Sequence, residues 1–258
     1  MIDNPRSPRV RAVAKLAKRD ARSTTGLFLL EGPQALEEAL RFRPDLVVER
    51  FVTRDAAERH PELAEGAHVV TPQVLEAMAD TVTPQGIVAV ARQFPASLDE
   101  VLTSRPRLVA VLQEVRDPGN AGTIIRAADA AGADAVLLTG RSVDLYNPKV
   151  VRATTGSIFH LPVAMAGPLP EVLDALRSAG LQVLAADIKG DDLLQVRRDG
   201  LLSAPTAWLF GNEARGLADE DLARADRAVA VPIYGRAESM NLATAASVCL
   251  YESAFAQR

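Results

Sequence analysis

A chain of 258 residues in which 48% are hydrophobic and 24% charged can build one large domain or two modest ones. Its net charge of −4 argues against a protein that coats nucleic acid indiscriminately. A single cysteine, Cys249, excludes a disulfide framework within one chain, and the scattered His60, His68 and His160 have no metal-ligand spacing, so no metal is expected.

The first 22 residues carry seven basic side chains against two acidic ones. Arg11, Lys15, Lys18 and Arg22 are spaced four, three and four apart, which predicts one basic face of an amphipathic helix. That face is either simply solvated or meets phosphate groups. The next apolar run, Leu27 to Leu30, predicts a strand, and Gln34 to Arg41 a helix opened by Gly32-Pro33. Strands are then expected at Leu46 to Thr53, Ala67 to Val70 and Gly86 to Ala91, with a short helix over Pro72 to Ala79. Residues 1–95 thus form a small α/β unit. The Pro-containing stretch 96–106 is expected to be a linker.

From residue 107 to 258 strand and helix alternate. Short apolar runs at Leu108 to Val111, Ala135 to Thr139, Leu181 to Ala186, Ala207 to Phe210 and Ala228 to Val231 suit parallel strands covered on both faces. Helices are expected at Ala121 to Ala131, Pro170 to Ala179 and Asn241 to Ala256. On the last of these, Leu242, Ala245, Ala246, Cys249, Leu250 and Ala254 form an apolar stripe. No apolar run reaches the roughly 18 to 20 residues of a membrane span, and the basic N-terminus lacks the apolar core of a signal peptide. A cytoplasmic protein, with no membrane partner, is expected.

Three polar, glycine-bearing segments punctuate the second half: Asn120 through Arg126, Gly211-Asn212-Glu213 and Ser239-Met240-Asn241. The common phosphate-binding fingerprints GxxxxGK[ST] and GxGxxG are missing. The three segments, in this order and with Asn147 to Ser157 between the first two, resemble the signature motifs of the SpoU (TrmH-like) branch of the SPOUT RNA methyltransferases. The resemblance implies a SPOUT parallel-sheet catalytic domain closed by a trefoil knot, a rare exception to chain topology rules. It also implies an L30e-like substrate-binding domain before it, S-adenosyl-L-methionine as cofactor, and methyl transfer to a ribose 2′-hydroxyl.

By this resemblance Arg126, Asn120, Glu213, Ser239 and Asn241 are the catalytic candidates. An arginine is a poor formal base, so Arg126 is expected to grip the RNA and favour the developing alkoxide; a role as the base is the alternative. Asn120 orients the ribose or Arg126, or else caps the helix after it. The backbone around Leu209, Gly211, Val231, Ile233 and Met240 is expected to hold the cofactor, with Gly211 and Gly235 small because a loop passing through another, or pressing on the cofactor's adenine ring, has no room for Cβ. Arg11, Lys15, Lys18, Arg22, Lys149 and Arg152 are the candidate phosphate contacts, the last two in a loop-like stretch. The expected partners are structured RNA, with rRNA favoured over tRNA, and a second copy in a homodimer formed through the knotted domain. A tRNA methyltransferase and an RNA-binding assembly factor without catalysis remain the competing readings.

Overall fold

The apolar runs of the sequence become strands of two separate sheets. In the computed structural model, which describes residues 1–258, the first unit comprises Met1–Phe94 with Asp144–His160, and the second Pro95–Val143 with Leu161–Arg258.

The first unit begins with α1 (Pro8–Lys15) and α2 (Arg19–Thr25), then β1 (Leu27–Glu31), α3 (Pro33–Phe42), β2 (Val47–Thr53), α4 (Arg54–Arg59), α5 (Pro61–Ala64), β3 (His68–Val70), α6 (Pro72–Met78) and β4 (Ile87–Arg92). The strand order is β1-β4-β2-β3, with β4 antiparallel to both neighbours and β3 parallel to β2. Val10, Val13 and Leu16 bury the inner face of α1 against Val74, Leu75, Met78 and the strand residues Phe51 and Val88. The basic segment is therefore not one continuous helix. The chain leaves helical geometry at Lys18, whose φ of −94° and ψ of 137° are extended.

The second unit contains α7 (Leu98–Thr103), β5 (Leu108–Gln113), α8 (Pro118–Ala131) and β6 (Ala135–Thr139); α9 (Pro148–Thr154) follows in sequence but clusters with the first unit. The chain continues with β7 (Val163–Met165), α10 (Leu169–Ser178), β8 (Gln182–Asp192), α11 (Leu193–Arg198), β9 (Thr206–Phe210), α12 (Asp219–Leu222), β10 (Arg227–Ala230) and α13 (Leu242–Gln257). Its six strands are all parallel, in the order β10-β8-β9-β5-β6-β7. From β5 the chain moves outward to β6 and β7, then returns to build the other half, so the order reverses between β5 and β9. Open parallel sheets bind ligands at the carboxyl ends of strands flanking such a reversal.

Four segments differ from the sequence expectations. The stretch expected as linker contains α7, whose start is fixed by a capping box: Glu100 N donates to Ser97 Oγ, and Ser97 N donates to Glu100 Oε2. Those Ser97 donors hold the Glu100 carboxyl below its ordinary range. The stretch expected as a loop around Lys149 is α9, because Asn147 caps it and Pro148 takes its first position. Strand β7 has only three residues and no periodicity to betray it. Strand β8 continues to Asp192 through polar residues that pair with β10 after a register shift. A Cβ on Gly190 would lie 2.4 Å from the backbone of Ala228 and Val229, so the two strands approach there as only glycine allows.

Helix α13 is apolar almost all round rather than along one stripe. It buries Ala243, Ala246, Cys249, Leu250, Ser253 and Ala254, while Leu242 and Ala245 are half-buried. On its inner side Trp208 Nε1 donates to Ser253 Oγ at 2.8 Å, both side chains fully buried. Burial pushes the Cys249 thiol up to about 12. We expect no reaction with a thiol reagent at pH 8 in the native protein and one equivalent after denaturation. The sign of the linkage is fixed: folding favours the protonated thiol, so this contribution to stability is complete below the ordinary value of 9.0 and is lost as the pH rises toward 12. Urea unfolding at pH 8 and pH 10 measures it.

Candidate active site

Two of the three polar segments follow the carboxyl ends of β5 and β9, and the third lies between the end of β10 and α13. Strand β5 ends at Gln113, and Glu114 turns the chain with φ +52°, a left-handed conformation that costs a non-glycine residue about 1 kcal/mol or more. The chain then enters α8. Asp117 caps this helix, accepting from Asn120 N at 2.7 Å, with Pro118 at the first helical position. Asn120 is therefore not the cap. Its side chain is left free to reach elsewhere.

It reaches both later segments. Asn120 Nδ2 donates to Glu213 Oε1 at 3.5 Å, and Asn120 Oδ1 accepts from Asn241 Nδ2 at 3.0 Å. Glu213 also accepts from the backbone amides of Arg116 at 3.2 Å and Asp117 at 2.9 Å. Asn241 in turn caps α13, its Oδ1 accepting from Ala243 N and Thr244 N. Three segments far apart in sequence thus close into one hydrogen-bonded network.

The loop after β9 is held by its own backbone. Asn212 N donates to Gly216 O at 3.0 Å, and Gly216 N donates to Asn212 O at 2.8 Å. Asn212 Nδ2 donates to Glu114 O at 2.9 Å, which ties this loop to the end of β5. A Cβ on Gly211 would stand 2.4 Å from the Gly216 carbonyl carbon and 2.6 Å from Leu217 N. Only glycine fits. No other part of the chain crowds Gly235: nothing lies within 4 Å of its Cβ position.

The remaining expected site residues are placed as follows. Arg126 is exposed on α8 and makes no ion pair or hydrogen bond within the chain. Ser239 is exposed, Val231 and Met240 are half-buried, and Ile233 is 36% exposed. The Leu209 side chain is fully buried in the sheet core, so only its backbone can meet a ligand. A cavity of about 380 Å³ beside Gln113, Glu114, Asn212, Arg215 and Asp221 opens at the same strand ends. No group of three or more His, Cys, Asp or Glu side chains could hold a metal ion. No helix is long and apolar enough to cross a membrane.

Among the basic residues of the first unit, Arg11, Lys15, Lys18 and Lys149 are exposed. Two others are corrected. Arg22 is 2% exposed: its Nε and Nη2 donate to Asp144 Oδ2 at 3.0 and 2.5 Å, and its Nη1 to the carbonyls of Leu16 and Ala17 at 2.8 Å. Those carbonyls are freed where the first helix ends, and the arginine satisfies them instead of facing RNA. Arg152 is likewise taken by Glu31 Oε1 at 2.8 Å and Asp80 Oδ2 at 3.0 Å. Arg22→Ala is expected to cost about 3 kcal/mol of stability, the usual effect of stripping a buried charge of its partner, whereas Lys15→Ala is expected to change stability by less than about 0.5 kcal/mol. Urea denaturation of the two variants checks this.

Comparison with known proteins decides the family. The model of the SpoU rRNA methylase family matches residues 107–251, which span Asn120, Arg126, Glu213 and Asn241. The chain belongs to the SpoU rRNA methylase family. A model of the MRM3-like substrate binding domain matches residues 7–89. The chain is 34% identical to the 23S rRNA (guanosine(2553)-2′-O)-methyltransferase RlmP of Bacillus subtilis, over 97% of each chain. It is 32% identical to a 23S rRNA (uridine(2479)-2′-O)-methyltransferase of Streptomyces viridochromogenes, over 93% of this chain and 86% of that one. The crystal structure of an AdoMet-bound rRNA methyltransferase from Sinorhizobium meliloti superposes with a TM-score of 0.83 at 32% identity, covering 98% of this chain and 96% of that one. The fold is therefore that of the SPOUT methyltransferases.

Within this SpoU frame the sequence reading gave no role to Asp117, to Glu114 or, inside the second segment, to Asn212. Asp117-Pro118 carries a helix-start signal, an acceptor followed by proline, that could have moved the cap from Asn120. Asn212 stands inside the second polar segment, but its bond to Glu114 O joins two strand ends that no local signal relates, and nothing local marks Glu114.

Proposed function

We propose that this protein transfers the methyl group of S-adenosylmethionine to a ribose 2′-hydroxyl of ribosomal RNA, with 23S rRNA as the substrate. The observation that carries this reading is the closed network Asn241–Asn120–Glu213, which joins the three family segments at the carboxyl ends of the β5 and β9 strands. The donor set suits the cofactor: the 211–217 loop is compact, with Gly211 pressed against Gly216 and Leu217, and Val231, Ile233 and Met240 leave partly exposed apolar side chains beside the polar segments. When bound, S-adenosylmethionine supplies an activated methyl group on a sulfonium, so neither a metal nor a covalent enzyme intermediate is required.

The chain's own residues then have two tasks, to align the ribose and to ease loss of its proton. Glu213 fixes the backbone at Arg116 and Asp117, and so sets where α8 begins. Asn120, held from both sides, and Ser239 present polar groups to the ribose. Arg126 meets the RNA with a guanidinium that no internal carboxylate neutralises, and it stabilises negative charge as it develops on the 2′-oxygen. Alignment alone is worth several kcal/mol in such a reaction. Residues up to 95 serve as the RNA-binding domain, through exposed Arg11, Lys15 and Lys18, with Lys149 on the α9 helix that clusters with them.

A homodimer through the second unit, in the cytoplasm, completes the reading. Tyr251 and Phe255 remain 38% and 59% exposed on α13, an apolar surface suited to a second copy. Incubation with tritiated S-adenosylmethionine and, separately, unmodified rRNA and tRNA, followed by digestion to nucleosides, tests the activity. Label in 2′-O-methylnucleosides of rRNA that falls at least a hundredfold with Arg126→Ala supports it. Label confined to tRNA, or full activity of Arg126→Ala, would contradict it.

A further inference from the structure

The carboxylate of Glu114 collects three arginines from three different loops. Arg116 Nη2, on the loop after β5, lies 3.2 Å from Glu114 Oε2; Arg215 Nη2, on the loop after β9, lies 3.0 Å from the same oxygen; Arg141 Nε, on the loop after β6, lies 3.7 Å from Oε1. These strands are neighbours in the order β9-β5-β6, so the loops converge at one end of the sheet. The convergence is built into the backbone. Glu114 is held at φ +52°, and a Cβ on Gly140 would lie 3.0 Å from Glu114 Cγ.

One carboxylate cannot satisfy three guanidinium groups. Each carries five N–H donors against the carboxylate's four or so acceptor sites, and the arginine side chains are 51%, 86% and 67% exposed. Most donors and two net positive charges therefore face outward. Glu114 also shares the neighbourhood of the catalytic network, since Arg116 N donates to Glu213 and Asn212 bridges Glu114 O and Glu213 Oε2. Arg116 and Arg215 hydrogen-bond the common carboxylate and Arg141 pairs with it at 3.7 Å, and such planar, exposed donors suit a phosphate oxygen pair. The adjoining cavity is lined by Glu220 and Asp221 as well, which repel a polyanion, so contact is confined to the arginine rim.

Resting on the function proposed above, we infer that Arg116, Arg141 and Arg215 grip one phosphodiester group of the RNA strand beside the target ribose, and that Glu114 is the positioning residue that holds them in register. The test uses the full chain, an unmodified 23S rRNA transcript and the triple variant R116Q/R141Q/R215Q. The variant is expected to raise KM for the RNA at least tenfold, with a smaller effect on kcat, and to leave S-adenosylmethionine affinity by calorimetry within twofold. In filter binding, the slope of log K against log salt falls by about 0.7, the value for one phosphate of a single strand. Glu114→Ala keeps all three charges, so a mere charge count predicts tighter RNA binding; a positioning role predicts a several-fold rise in KM with the salt slope unchanged. A triple variant with unchanged KM and salt slope overturns the cluster while the activity stands, and tighter productive binding by Glu114→Ala overturns the positioning role. A wild-type protein that binds the cofactor but neither binds nor methylates the transcript overturns the activity and this inference together.

Discussion

Gly211→Ala is expected to abolish measurable S-adenosylmethionine binding and to lower Tm by roughly 5–10 °C. The added methyl carbon would stand 2.4 Å from the Gly216 carbonyl carbon and 2.6 Å from both Gly216 O and Leu217 N. All three are backbone atoms, so no side-chain rotation relieves the overlap. They also belong to a loop tied at both ends by the Asn212–Gly216 hydrogen bonds. Overpacking of this kind costs about 2–3 kcal/mol, and relief requires the loop to move away from the end of β5. Gly235→Ala is the matched control: its Cβ meets open space, and its stability is expected to stay within about 0.5 kcal/mol of the parent. Thermal unfolding with and without cofactor separates the two variants. A Gly211→Ala protein with parental Tm and cofactor affinity would show that the loop is not the cofactor's support.

Glu213→Ala is expected to reduce kcat about a hundredfold while sparing cofactor affinity, because misplacing reacting groups by about 1 Å costs that much. The carboxylate holds Arg116 N, Asp117 N and Asn120 Nδ2. Its removal leaves two backbone amides seeking water and lets the start of α8 drift, carrying Asn120 and Arg126 with it. The fold itself should lose only about 1 kcal/mol, since Glu213 is exposed and water replaces part of the interaction. Glu213→Gln keeps one acceptor oxygen and should recover about tenfold of the lost rate. Single-turnover methylation with saturating cofactor is the measurement. Equal rates for the alanine variant and the parent would remove Glu213 from the positioning network.

The two variants probe different levels of legibility. Gly211 and Glu213 stand in a segment visible in the sequence; the resemblance implied that another loop or the cofactor would crowd Gly211, whereas the backbone that crowds it is that of its own loop at Gly216 and Leu217. That Gly235 has no such neighbour was not visible, because its sequence context, polar residues after a strand, is the same kind. Arg22 shows the same limit. Its spacing from Arg11, Lys15 and Lys18 fits one helical face, yet the helix ends before it, and the freed carbonyls of Leu16 and Ala17 together with Asp144 draw it inside. The competing demand came from 122 residues away.

By itself the sequence showed most of the segments that become strands, since short apolar runs of four to six residues suit a sheet buried on both faces, but not the three-residue β7 or the polar end of β8. It determined the parallel alternation of the second unit and the three polar segments at its strand ends. Strand order, the reversal between β5 and β9 and the partners of each polar side chain were decided only by the tertiary structure. The reason is physical: periodicity reports which face of an element avoids water, whereas a hydrogen bond such as Asn120 to Asn241 depends on where two separately formed elements come to rest. The three arginines on Glu114 belong to the same class, each unremarkable in its own loop and joined only when adjacent strands bring the loops together.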